Sequence, residues 1–127
     1  MIEHVNPPSM AASPAFSQGT IAPAGRTLYV GGQDGIDASG AVADGIVAQT
    51  AQAIANVRAV LEAAGATPDD VVKLTIHLAD SVDAAEAYRA AVGAWGVHRT
   101  AVTVLFVSRV GPPGALVEVD AIAALPA

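Results

Sequence analysis

Cysteine is absent from the 127 residues of this chain, which excludes a disulfide framework, a thiolate nucleophile and a cysteine-ligated metal. Charge is scarce: charged residues make up 14% of the chain, and six basic residues stand against twelve acidic ones for a net charge of −6. Arg26, Arg58, Lys73, Arg89, Arg99 and Arg109 are scattered along the sequence, the opposite of the clustered basic surface that tracks phosphates. Nucleic acid is therefore not an expected partner. Aromatic residues, at 4%, are too few to suggest a platform for stacking bases. No apolar run approaches the roughly 20 residues of a membrane-spanning helix, so no membrane partner is expected. The segment Met1-Ile2-Glu3-His4-Val5-Asn6-Pro7-Pro8 has neither a basic n-region nor an apolar h-region, and a cytoplasmic location is the expectation.

Apolar residues fill the space that charge leaves, at 53%. The length suits one domain over residues 1–127, large enough for one core and too small for two. A small soluble domain with so few charges must hide apolar surface, and burying it against copies of itself is the common solution.

Residues 1–15 contain Pro7, Pro8, Ser9, Ser13 and Pro14 and read as an irregular lead-in. Phe16 to Ile21 and Thr27 to Gln33 read as a hairpin turned at Pro23-Ala24-Gly25-Arg26. After a Gly- and Asp-rich connection from Asp34 to Gly40, Asp44 can cap a helix on which Val47, Ile54, Val57, Leu61 and Ala64 recur at helical spacing, ending at Gly65. Val71 to Leu78 alternates Val72, Leu74, Ile76 and Leu78 with more polar neighbours, as a strand does. Asp80 or Ser81 can cap a second helix running to about Gly93. Ala101 to Val107 is apolar on both faces, which predicts a central strand covered from both sides, and Leu116 to Leu125 closes the chain as a last strand. The predicted order is strand, strand, helix, strand, helix, strand, strand. Two helices can cover one face of such a sheet, and subunits packing sheet against sheet would cover the other.

Several segments in this order resemble one family. Gln49-Thr50-Ala51-Gln52-Ala53-Ile54-Ala55-Asn56-Val57, then Val60-Leu61-Glu62-Ala63-Ala64-Gly65, then Asp70-Val71-Val72-Lys73-Leu74-Thr75-Ile76-His77-Leu78-Ala79-Asp80 are similar to the central signature of the RidA/YjgF (imine deaminase) family. Phe16-Ser17-Gln18-Gly19 resembles its Tyr-Ser-Gln motif, Gly31-Gly32-Gln33 its Ser-Gly-Gln, and Val117-Glu118-Val119-Asp120-Ala121-Ile122-Ala123 its last strand. The resemblance spans roughly residues 13–124. It implies an α/β (α+β) chorismate-mutase-like fold, a mixed sheet with two helices on one face, assembled as a homotrimer with a small-molecule ligand in each inter-subunit cleft. It also implies hydrolysis of small enamines and imines, such as 2-aminoacrylate, to a ketoacid and ammonia with no metal or other cofactor. In that chemistry an arginine in the penultimate strand holds the substrate carboxylate, and a glutamate in the last strand positions water.

The glutamate carries over to Glu118. The arginine carries over in two ways. The gap-free alignment, which is favoured, sets the family's Pro-Ala-Arg-Thr on Thr100-Ala101-Val102-Thr103, with Val102 in the arginine's place. Sliding Arg99-Thr100 onto the Arg-Thr pair instead shortens one loop and lengthens the next. A shift of three residues reverses the face of a strand, so both cannot put a guanidinium in one cleft. Valine offers none of the paired donors that match a carboxylate. Phe16 lacks the hydroxyl of the tyrosine it replaces, Gly31 replaces a serine, and Ala85 stands near a position often occupied by asparagine. The candidate catalytic residues are thus Glu118 and Arg99, and Phe16, Gly31, Gly32, Val102 and Thr103 are the candidate substrate contacts. The retained acid supports an imine or enamine deaminase with altered carboxylate binding; the apolar replacements support a non-catalytic metabolite-binding or regulatory trimer. Ribonuclease activity, attached to some relatives, is disfavoured by the acidic chain.

Other residues have plainer readings. His77 lies on the polar side of its strand, and with His4 and His98 far from it no metal-ligand spacing appears. Trp95 reads as a packing anchor, and His98-Arg99 as a solvated pair within reach of the cleft mouth. Gly31-Gly32 has no phosphate-loop context and reads as strand approached closely by other backbone. Ser13, Ser17 and Ser108 lack a base partner, so no hydrolase triad is proposed.

Overall fold

Alternation along two strands sets the architecture. In the computed structural model, which describes residues 1–126, Leu74, Ile76 and Leu78 of one strand and Val117, Val119, Ala121 and Ala123 of another are all buried on the same side. The chain forms β1 (Glu3–Val5), β2 (Gly19–Ile21), β3 (Thr27–Asp34), α1 (Gly45–Ala63), a 3-10 turn at Pro68–Asp70, β4 (Val71–Ala79), α2 (Ala84–Trp95), β5 (Ala101–Val107) and β6 (Val117–Ala124). β3, β6, β4 and β5 make a four-stranded sheet in that order, antiparallel except for the parallel pair β4–β5. Both helices lie on one face. The sheet is mixed because the short β6 return is antiparallel, whereas α2 provides the crossover that a parallel β4–β5 pair requires.

The inward face of α1 is Ile46, Gln49, Thr50, Ala53, Ile54, Val57 and Leu61. Val47, expected on that face, is 59% exposed, and Ile46 takes its place. Gly65 ends the helix at φ +77, with Ala66 N–H bonding back to Leu61 O at 2.8 Å, as its left-handed conformation allows. Asp44 occupies the N-cap position without a side-chain cap bond.

α2 starts later than its sequence suggests, because Ala79 to Val82 closes a turn of its own, with Val82 N–H to Ala79 O at 3.0 Å. The cap is Asp83, neither Asp80 nor Ser81, and its Oδ2 accepts from Glu86 N–H at 2.9 Å. The helix runs past Gly93 to Trp95. Replacing Asp83 by Ala is expected to cost about 1 kcal/mol of stability, the usual value of an N-cap bond. Chemical denaturation of Asp83→Ala checks this, and a change below about 0.3 kcal/mol would assign the cap no energetic role.

Three expectations need correction. Residues 1–15 are not wholly irregular: Glu3–Val5 pairs antiparallel with Gly19–Ile21, a strand too short for alternation to reveal. β2 therefore pairs with β1 and not with β3, so no hairpin turns at Pro23–Arg26; that turn instead hands the chain to a second sheet, where Leu125 N–H bonds Arg26 O at 3.0 Å. And β5 is an edge strand. Its Val104, Leu105 and Phe106 are 47%, 46% and 49% exposed in the single chain, Val104 and Phe106 over an apolar hollow on the helix side and Leu105 on the opposite face. The β1–β2 pair lies near that edge, through a Ser17–Ala101 bridge and Ser17 N–H to Thr100 O at 3.3 Å.

Candidate functional site

Glu118 faces away from the helices. Its neighbours Val117 and Val119 are fully buried in the core, so the period of two turns Glu118, Asp120 and Ile122 to the open face. Antiparallel register then sets Glu118 opposite Asp34 of β3 on one side and opposite His77 of β4 on the other, with Leu105 of β5 completing the row. Three titratable side chains thus cross the sheet in one line. His77 Nδ1 is buried without a hydrogen-bond partner, 4.0 Å from Asp120 Oδ2. Farther along the same face Lys73 donates to the Thr103 hydroxyl.

The Asp34 carboxyl is pushed up to about 6, first by burial and then by the hydrogen bond and charge of Glu118. Two glycines leave room for this pair. A Cβ on Gly32 would stand 2.7 Å from Glu118 Oε2, and one on Gly111 would stand 2.6 Å from both Asp34 carboxyl oxygens. The close neighbour at Gly32 is therefore a side chain, not the backbone that the Gly31-Gly32 pair suggested, and Gly31 has nothing within 4 Å.

The other candidates lie elsewhere. Between α2 and the edge strand the helix face opens into a hollow of about 610 Å³, lined by Phe16, Tyr88, Val92, Val97, Val102 and Phe106 among others, with Arg89 as its one charged lining residue. The volume falls within the range of small-molecule sites. Val102 opens into it beside Leu74, its register partner, while Thr103, one residue on, is on the opposite face. Arg99 precedes the strand in an exposed left-handed conformation, φ 55, with its carbonyl 3.1 Å from His4 Nδ1. Glu118 and Gly32 are thus brought together, and Phe16 and Val102 are brought together, but the single chain keeps the two groups on opposite faces of its sheet.

His98 is not a solvated residue. Its Nδ1 is 2.7 Å from Asp69 Oδ1 and its Nε2 3.0 Å from Trp95 O, so it ties the end of α2 to the 3-10 turn. Trp95, 6% exposed, is the anchor expected, with the Arg58 guanidinium 5.5 Å over its ring and bonded to its carbonyl at 2.8 Å. Asp34 was missed as a site residue. Within the chain it sits in a Gly- and Asp-rich run that reads as a loop, and only the long-range pairing of β3 with β6 sets it against Glu118. Among the described residues no group of three or more His, Asp or Glu side chains is placed to hold a metal, and no helix is long and apolar enough to cross a membrane.

A four-stranded mixed sheet with both helices on one face, a last strand carrying Glu118 and a hollow beside the penultimate strand define the class of α/β proteins that resemble RidA. The matches to known proteins extend from the fold to the family. Residues 7–125 match the family described as endoribonuclease L-PSP. The chain is 38% identical over 102 residues to a RutC family protein of Pyrococcus horikoshii, covering 79% of this chain and 80% of that one. It is 48% identical over 60 residues to the 2-iminobutanoate/2-iminopropanoate deaminase of Bos taurus, covering 46% of this chain and 44% of the enzyme. A Rid-family crystal structure from Yersinia pestis superposes with a TM-score of 0.86 at 32% identity, covering 98% of each chain, and RidA of an Antarctic Psychrobacter with 0.72 at 32% identity, covering 91% of this chain and 92% of that one. This chain belongs to the RidA/YjgF family.

Proposed function

We propose that this protein acts on small metabolites as an imine or enamine hydrolase whose arginine-dependent carboxylate binding is altered. Water adds to the C=N carbon, its protons pass to nitrogen, and the C–N bond breaks to release a carbonyl compound and ammonia. Glu118 orients that water and accepts its proton; Phe16, Val102, Thr103, Gly31 and Gly32 shape the surroundings, and Arg99 stands at the rim. The observation that carries the reading is the retained Glu118 on the open face together with an apolar hollow at Val102. Because these lie on opposite faces of one sheet, a shared cleft requires the Glu118 of one copy beside the hollow of another, which supports an oligomer, and the family resemblance implies a homotrimer. The engaged Arg58 guanidinium disfavours a basic surface for RNA.

The test is ammonia release from freshly generated 2-iminopropanoate, with and without protein, together with 2-oxobutanoate binding by calorimetry. Wild-type protein is expected to accelerate release. Val102→Arg is expected to tighten 2-oxobutanoate binding roughly 10- to 100-fold, because it restores a charge-assisted pair worth about 1.5–3 kcal/mol. No acceleration, with saturable ligand binding retained, would favour the second reading of a non-catalytic metabolite-binding trimer, which the apolar hollow also supports. Unchanged affinity in Val102→Arg would remove the altered arginine position from the account.

A further inference from the structure

The carboxyl pair on the open face holds more than the water-positioning role of Glu118 requires. We infer that Asp34 is the positioning residue of this site: it shares a single proton with Glu118 and, by donating it in a hydrogen bond, fixes Glu118 as an oriented, ionised carboxylate. The inference rests on the reading that Glu118 carries the chemistry, and it adds a residue and a pH dependence to it.

Four observations lead there. Asp34 and Glu118 are direct partners in the β3–β6 register, so their side chains leave adjacent strands toward the same face. The backbone leaves space for both carboxyls at Gly32 and Gly111, where a Cβ would stand 2.7 Å from Glu118 Oε2 and 2.6 Å from the Asp34 oxygens unless the carboxyls moved. Asp34 Oδ1 is buried and has no hydrogen-bond partner among the described residues, as an oxygen facing another carboxyl has until one of the two carries a proton. And among the described residues of one copy the only ion pairs are His77–Asp120 and His98–Asp69, so within that copy no lysine or arginine neutralises the pair. Two carboxylates in contact without a cation cannot both ionise at little cost, and the arrangement that satisfies them is one proton between two. The raised Asp34 carboxyl, with burial its largest cause and Glu118 the next, agrees with a proton held between the two.

The groups around the pair do not change the assignment. On β4 the register partner of Glu118 is His77, which leans to Asp120 of β6; Lys73 lies two rows away and is engaged by Thr103. β5 contributes Leu105 to the row. In the loop before β6, Arg109 is exposed and makes no ion pair among the described residues. With the proton in place Glu118 is an anion held by a donor. As pH rises through about 6 Asp34 loses that proton, the donor becomes a second anion, and repulsion drives Glu118 out of position.

The experiment compares wild type, Asp34→Asn and Asp34→Ala by turnover of freshly generated 2-iminopropanoate from pH 5 to 8, and by carboxyl 13C NMR titration of the full chain. Wild type is expected to lose kcat as pH rises through about 6, with one carboxyl titrating there. Asp34→Asn keeps an N–H donor to Glu118 at every pH, so it should retain turnover at pH 5 and lose the limb near 6. Asp34→Ala, with no donor and no charge, should lower kcat about tenfold or more at pH 5, with KM little changed and no limb near 6. Identical behaviour of the Asn and Ala variants, or no wild-type carboxyl titrating above about 5, would overturn the inference. Should wild type show no turnover, the deamination reading falls by itself, and the carboxyl titrations of wild type and Asp34→Asn still decide whether the pair shares its proton.

Discussion

Glu118→Gln is expected to lower imine turnover by roughly 10²- to 10⁴-fold, the range a positioned acid–base group contributes, while making the folded protein more stable at neutral pH. The two effects have one cause. Glutamine presents an amide where water needs a proton acceptor, so the chemistry is lost. The same change removes a negative charge from the side of Asp34, which the register holds opposite position 118. Asp34 has a raised folded-state carboxyl, at about 6 against an ordinary 3.8, with burial the larger cause and Glu118 the next. A raised carboxyl binds its proton more tightly in the folded state than in the unfolded chain. Its contribution therefore favours folding below 3.8 and is lost as pH rises to about 6. At pH 7 and above the wild-type fold carries Asp34 without its proton, pressed against the Glu118 carboxyl. In the Glu118→Gln variant the repulsion is gone and a donor faces Asp34, so the Asp34 carboxyl falls partway back, the burial contribution remaining. Urea denaturation at pH 5 and at pH 7.5 should show Glu118→Gln gaining stability over wild type at the higher pH and less at the lower. Such an opposition of stability and activity is common where like charges are held together for function. Equal stability at both pH values would mean that the carboxyls do not repel, and undiminished turnover would remove Glu118 from the chemistry.

What the sequence reveals and conceals about this site follows from the range of the interactions involved. α1 is legible because Ile54, Val57 and Leu61 fall on one stripe and Gly65 stops the helix, all within about twenty consecutive residues. β4 and β6 are legible because one face of each is buried and the other is not. β5 reads as a central strand because Val102, Val104 and Phe106 are as apolar as Leu105 and Val107, and nothing in the strand itself tells a hollow beneath α2 from a packed layer. The β1–β2 pair is concealed because three residues carry no period, and pairing Glu3 with Ile21 is decided by where the rest of the fold puts them. Glu118 is recognisable from its motif. Asp34 is not, since its role depends on a strand 84 positions later in register, and a misplaced β2–β3 hairpin points β3 at the wrong partner. The residues that make the candidate site distinctive are thus those whose meaning comes from cross-strand pairing, which local pattern does not contain.

Gln49 shows the reverse case, a residue visible as part of a motif whose physical task appears only in the fold. It is 2% exposed on the inward face of α1. Its Nε2 donates to Gly114 O at 2.9 Å and its Oε1 accepts from Leu116 N–H at 2.7 Å, so one amide satisfies two main-chain groups of the loop that feeds β6. Leucine at this position fills a similar volume and offers neither bond. Each orphaned buried group costs about 1–3 kcal/mol, so Gln49→Leu is expected to destabilise the protein by roughly 2–6 kcal/mol. Gln49→Glu, which can still accept from Leu116 but cannot donate to Gly114, should fall below wild type through the lost donor and the added buried charge. The consequence reaches the site, because this loop also contains Gly111, whose missing side chain leaves space for the Asp34 carboxyl, and Glu118 follows Leu116 by two residues. Loosening the loop should therefore blunt the pH limb near 6 as well as lower the denaturation midpoint. Denaturant titration of Gln49→Leu with an unchanged m-value measures the first effect, and the pH profile of the surviving folded fraction measures the second. A loss under about 0.5 kcal/mol would mean that water replaces both bonds at no cost, and the signature glutamine would then need a reason other than this loop.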